Sequence, residues 1–203
     1  IIYARNSTGF YAYNTAGLEI HNLIFQGSGY NVNTGVGIHF FMDKTGNVKL
    51  KHIVIQNTEV SDFNVSGIRI GSWPTDQSRS GYDSVIIRNC ITHDNGLSGL
   101  SIYGYYKTTD TLFSHKRILI QRCKAYNNFG ITGMLEHSGS GIIIGQVDSC
   151  TMEYCEAYEN GKNNTYSLAG PAGIWAWDSK NVIIQYCYSH HNRSQTVDGD
   201  GFD

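Results

Sequence analysis

The 203 residues carry a formal net charge of −2, only 16% of them are charged, and no run of Lys or Arg occurs. Nucleic acid and anionic membrane surfaces both need clustered positive charge, so neither is expected as a partner. No stretch approaches the roughly 18 apolar residues of a membrane span, and 23 Gly and 14 Tyr in an Asn-rich, β-branched background favour strands and tight turns over helices.

The chain opens on Ile1-Ile2-Tyr3, which reads as the interior of a strand, and stops at Asp203 inside a motif. A single domain, the fragment of a longer solenoid incomplete at one or both ends, is expected. From there one pattern recurs six times, at 18–23, 53–58, 85–90, 118–123, 150–155 and 182–187. Its last position falls on Leu23, Thr58, Cys90, Cys123, Cys155 and Cys187, in steps of 35, 32, 33, 32 and 32. So steady a period marks a solenoid.

Inside each unit apolar residues alternate at period two. The columns Ile20/Ile55/Ile87/Ile120/Met152/Ile184 and Phe25/Val60/Thr92/Ala125/Ala157/Ser189 are therefore the inward stacks, and His21, Gln56, Arg88, Gln121, Glu153 and Gln185 face water. A second strand starts at Gly37, Gly67, Gly99, Gly141, Gly173 and Gly201, each followed by an aliphatic or aromatic residue. Short strands with no helical period between them predict an all-β, right-handed parallel β-helix of about six coils of about 32 residues. Asn95, Asn128, Asn160 and Asn192 recur as turn residues whose amides can stack along the axis. An outward apolar column, Val54, Ile86, Leu119 and Ile183, is either a surface for a partner chain or plain β-propensity.

Four of the five cysteines share one inward column, about one strand spacing (~4.8 Å) apart. Stacked side chains point the same way, whereas a disulfide needs a near-perpendicular torsion, so free buried thiols are expected. No paired Cys or Cys/His spacing suits zinc.

The Gly-started strand carries one outward side chain per coil: His39, Arg69, Ser101, Ile143, Trp175 and Asp203. Long segments follow it at 72–82 and 104–115 and precede it at 129–140 and 161–172, and such insertions gather on one face of a solenoid and wall a groove. Trp73, Tyr103, Tyr105, Tyr106, Trp175 and Trp177 lie near it. Flat aromatic faces suit the C–H patches of sugar rings, and they equally fill loop bases. Asp178 follows directly, and Glu136 and His137 sit in an insertion that overhangs the same face. His39 and Arg69, with Lys107 and Tyr105 on a neighbouring loop, supply the types that uronate elimination needs: a cation to neutralise the carboxylate and a base for the adjacent proton. Asp198, Asp200 and Asp203 form a second cluster that fits Ca²⁺, an acid/base pair, or an Asp/Gly turn.

The repeat, the Gly-started strands and the Asn and Cys columns, over nearly all of 18–203, resemble the pectin-lyase-like superfamily of right-handed β-helices. That superfamily holds polysaccharide lyases, polygalacturonase-like hydrolases, epimerases, tailspikes and surface adhesins. Asp200-Gly201-Phe202-Asp203 resembles the Asn-Thr-Asp-Gly-Ile/Phe-Asp motif of polygalacturonases, which would make Asp200 catalytic. It is similar also to Asp-Gly-Phe segments near calcium in some pectate lyases. Val197-Asp198-Gly199 stands where the hydrolase motif has its Asn-Thr approach. The resemblance implies a secreted or cell-surface protein that binds or cleaves an acidic polysaccharide, lyase ahead of hydrolase, with Ca²⁺ as cofactor. The alternative is a non-catalytic carbohydrate-binding, adhesin or self-assembling fibre protein, its chains associating end to end or continuing into further coils.

Overall fold

The computed structural model describes residues 1–107 and 111–203. All regular structure among them is strand, arranged in three parallel sheets. The first sheet stacks Ile2–Arg5, Ile24–Gly27, Glu59–Ser61, Ile91–His93, Lys124–Tyr126, Glu156–Tyr158 and Tyr188–His190. The second stacks Phe10–Tyr13, Ile38–Met42, Ser66–Ser72, Ser98–Gly104, Ser140–Gly145, Ala172–Trp177 and Asp200–Phe202. The third stacks Leu18–His21, Lys49–Gln56, Gly81–Arg88, His115–Gln121, Val147–Glu153 and Lys180–Gln185. Every strand thus pairs with its counterpart one coil away, as the period requires. The result is a β-solenoid of about six turns.

Pleating puts alternate residues inside. Ile38, Ile68, Leu100, Ile142 and Ile174 form one sealed column of the second sheet, in register from strand to strand. The columns through Ile55 and Val60 are buried as expected, although Ile184 of the sixth coil is 36% exposed. Cys150 sits between Ile118 and Val182 in an aliphatic column, and burial pushes its thiol up to about 12. All five cysteines are free thiols, and Cys90, Cys123, Cys155 and Cys187 each donate to the carbonyl two residues back. Of the outward apolar column, Val54 is covered while Ile183 is open.

Two ladders close the corners. The Nδ2 groups of Asn95, Asn128 and Asn160 donate to Oδ1 of Asn128, Asn160 and Asn192 at 3.0, 2.9 and 2.9 Å, and the same oxygens accept backbone N–H groups. Between the third and first sheets every coil has one residue in the left-handed region: Asn22, Asn57, Asn89, Arg122, Tyr154 and Tyr186. Asn tolerates that conformation best, and Asn22, Asn57 and Asn89 bond amide to amide. Where Asn gives out, ring stacking of Tyr154 on Tyr186 takes over, with the Arg122 guanidinium over Tyr154.

The glycines that open the second-sheet strands are needed for space. A Cβ on Gly67, Gly99 or Gly173 would stand 2.8 Å from the carbonyl oxygen of the corresponding glycine one coil on.

Candidate functional site

The second sheet carries the outward row predicted from the repeat. His39 pairs with Arg69, Arg69 with Ser101, Ser101 with Ile143 and Ile143 with Trp175. Asp203 continues the row, its backbone bonded to Ile174 and Ala176 on either side of Trp175. From Arg69 to Trp175 this row floors a cavity of about 720 Å³.

Its walls are the insertions. Trp73, Gly104, Tyr106 and Trp177 line the side where the strands end; Leu97, Leu135, Glu136, His137, Tyr166 and Ala169 line the side where they begin. A groove walled on those two sides runs along the solenoid axis.

Two glycines let the aromatic wall lie flat. Tyr103 is in register with Gly71, and a Cβ there would stand 2.1 Å from the Tyr103 ring. Trp177 is in register with Gly145, and a Cβ there would stand 2.3 Å from the indole. Each ring therefore leans back over a glycine of the preceding coil. Tyr106 meets Trp177 edge to face at 5.2 Å, and His137 meets Trp175 likewise at 5.1 Å. The Trp175 Nε1–H donates to Ser140 Oγ at 3.2 Å, which fixes the second indole. Both tryptophans thus line the groove, as the alternation after Gly173 predicts.

The electrostatics are sparse. Arg69 lies over the Tyr103 ring, its guanidinium carbon 4.3 Å from the centroid. Its Nε is buried without a hydrogen-bond partner, and no carboxylate of the described residues pairs with it. His39 Nε2, Ser101 Oγ and His137 Nδ1 are also buried without partners. A buried polar atom left unpaired costs free energy, and four such atoms at one face call for a functional explanation. Burial, and then the neighbouring Arg69 charge, hold His39 down to about 4, so its imidazole is neutral. Burial lowers His137, against the pull of Glu136. Burial raises the Tyr103 phenol, against Arg69. Arg69 and Glu136 are the only formal charges among the described residues of the lining.

Several residues expected at the site lie elsewhere. Lys107 is exposed and does not line the cavity. Tyr105 stands behind the wall, against Trp73 at 5.2 Å and under the Arg79 guanidinium. Asp178 turns away in a left-handed turn and accepts the Gln146 amide at 2.7 Å. His39 sits one strand beyond the cavity, beside Arg69.

The carboxylate cluster at the end of the chain is not formed. Asp198 bends back to accept the Gly170 N–H at 2.6 Å, and pleating sends Asp200 and Asp203 to opposite faces of the strand. Among the described residues, no three His, Cys, Asp or Glu side chains are gathered to hold a metal ion. Asp200, in register with Ala172, does not line the groove either. In the other direction, Leu135, Ser140, Tyr166 and Ala169 belong to the site though their types gave no sign of it; only the length of their insertions pointed there.

The family model for a right-handed beta helix region matches residues 8–202. The chain belongs to the right-handed β-helix family. This and the three-sheet solenoid fit the pectin-lyase-like superfamily. No curated protein and no solved structure matches this chain.

Proposed function

We propose that this β-helix protein binds an acidic polysaccharide along the axial groove, outside the cell or on its surface, and cleaves it by β-elimination. The observation that carries the reading is the Arg69 guanidinium, stacked on Tyr103 and unpaired with any described carboxylate, at the head of an aromatic-walled groove. Such a cation receives a uronate carboxylate and withdraws charge from it, which acidifies the adjacent C–H. His39, neutral and flanking the cavity one strand past its Arg69 end, is the base for a sugar that extends beyond Arg69. A carboxylate bound at Arg69 cancels part of the positive field that depresses His39 and so raises its proton affinity as the sugar arrives. The electron pair left by the proton expels the glycosidic oxygen from the β carbon, and in this reading the Tyr103 phenol, kept protonated by burial, returns a proton to it.

Elimination is favoured over hydrolysis because paired-carboxylate cleavage needs two acids flanking the bond, and Glu136 is the one carboxylate among the described lining residues. The test is ultraviolet absorbance of the unsaturated product during incubation with uronate polysaccharides. Growth that is lost in both Arg69→Ala and His39→Ala supports the assignment. No absorbance with any uronate polymer, with or without calcium, would refute cleavage.

A further inference from the structure

The row of side chains along the groove floor is not uniform. One coil at a time, at roughly 4.8 Å per step, it passes from neutral His39 through Arg69, Ser101, Ile143 and Trp175 to Asp203. Positive charge stands at one place only. Glu136 on the wall beside His137, and Asp203 beyond Trp175, put negative charge at the opposite end. Between the two lies an apolar stretch, with Ile143 itself only 6% exposed and two indoles beside it.

A polymer with an acid group on every sugar would lay one carboxylate on Arg69 and the next ones over Ile143 and Trp175, toward Glu136 and Asp203. Each of those would lose water to an apolar floor without a partner, and would meet like charge. A neutral ring at the same place presents C–H faces to Trp175 and Trp177 and nothing that needs a counter-charge.

We propose that the groove selects a mixed-sequence acidic polysaccharide, in which one acid-bearing sugar occupies the Arg69 position and neutral sugars lie over Ile143, Trp175 and Trp177. This rests on the acidic-glycan function proposed above and adds the spacing of charge to it. The groove reads the gap between acid groups as much as the acid group itself, with Glu136 and Asp203 rejecting a second one.

The experiment measures quenching of tryptophan fluorescence in chelator with three polymers: a homopolymer of uronate, a neutral polysaccharide, and a heteropolysaccharide with one uronate per repeat of two or three sugars. The heteropolysaccharide is expected to bind at least tenfold more tightly than either of the others. Arg69→Gln should reduce it to the level of the neutral polymer, and Glu136→Gln with Asp203→Asn should raise homopolymer affinity several-fold. Circular dichroism verifies that each variant is folded. Homopolymer binding as tight as that of the heteropolysaccharide would overturn the spacing rule and leave the acidic-glycan function standing. Binding of none of the three would overturn both.

Discussion

Tyr103 lies flat across Gly71 and offers its upper face to Arg69, whose guanidinium carbon is 4.3 Å from the ring centroid. The glycine thus sets the height of the cation above the sheet. Gly71→Ala would push a methyl into the far end of a side chain that can swing aside, so stability should change by less than about 1 kcal/mol while glycan affinity falls at least fivefold. Gly99→Ala is the contrasting case, because its Cβ meets Thr92 Oγ1 at 2.5 Å and the Gly141 carbonyl at 2.8 Å. Backbone cannot swing aside, and a loss of about 1–3 kcal/mol is expected. Chemical denaturation together with glycan titration separates the two.

The buried asparagine ladder should be a main source of register. Asn128→Ala removes the acceptor of Asn95 Nδ2 and the donor to Asn160 Oδ1, all at fully buried positions. A loss of about 2–3 kcal/mol is expected from the groups left unpaired. Asn57→Gly, at a left-handed corner with φ of 52° on the exposed ladder, should cost less than about 1 kcal/mol. Equal losses in urea denaturation would show that the inner ladder has no special weight.

Stability should fall in acid through His115. The ring is fully buried, accepts the Tyr82 N–H on Nδ1 at 3.2 Å and donates from Nε2 to the Tyr103 carbonyl at 2.8 Å. Protonating Nδ1 forfeits the first bond and buries a charge, and burial holds the group down to about 4. Between about 6.5 and 4 the unfolded chain binds a proton that the folded chain refuses, so stability drops as pH falls through that window. The depression corresponds to roughly 3 kcal/mol at most, and His39 adds in the same direction. His115→Gln, with no proton to gain, should flatten the melting temperature against pH; an unchanged acid profile would contradict the assignment.

Thiol labelling reads the core column. Cys187 is half-buried, while Cys90, Cys123, Cys150 and Cys155 are sealed. A thiol reagent should modify one cysteine in the native protein and all five in denaturant, and Cys187→Ser should abolish the native reaction. Rapid labelling of two or more would mean that the solenoid opens between coils.

The solenoid was legible because its physics is periodic. One inward column fixes the phase of every strand in its sheet, and Ile55, Ile87 and Ile120 are enough to predict that Met152 continues it. The groove was legible in part, because strand alternation places Arg69, Ser101 and Trp175 on one face without knowledge of their neighbours. Alternation does not reach past a turn. Asp198, Asp200 and Asp203 are close in sequence yet separated by a left-handed turn at Asp198 and by the pleat. Lys107 and Tyr105 lie beyond the end of their strand, where the path of the loop decides which way a side chain goes. The Gly71–Tyr103 and Gly145–Trp177 pairs did carry a signal: a glycine on one coil at the register position of an aromatic on the next. It is visible only when outward columns are aligned with the same care as inward ones.

The most direct test is a crystal structure of the protein with a short acidic oligosaccharide. A uronate carboxylate paired with Arg69 and a neutral ring against Trp175, the chain running along the solenoid axis, is the predicted result. An oligosaccharide bound on another sheet, or one that crosses the groove and leaves Arg69 unpaired, would contradict it.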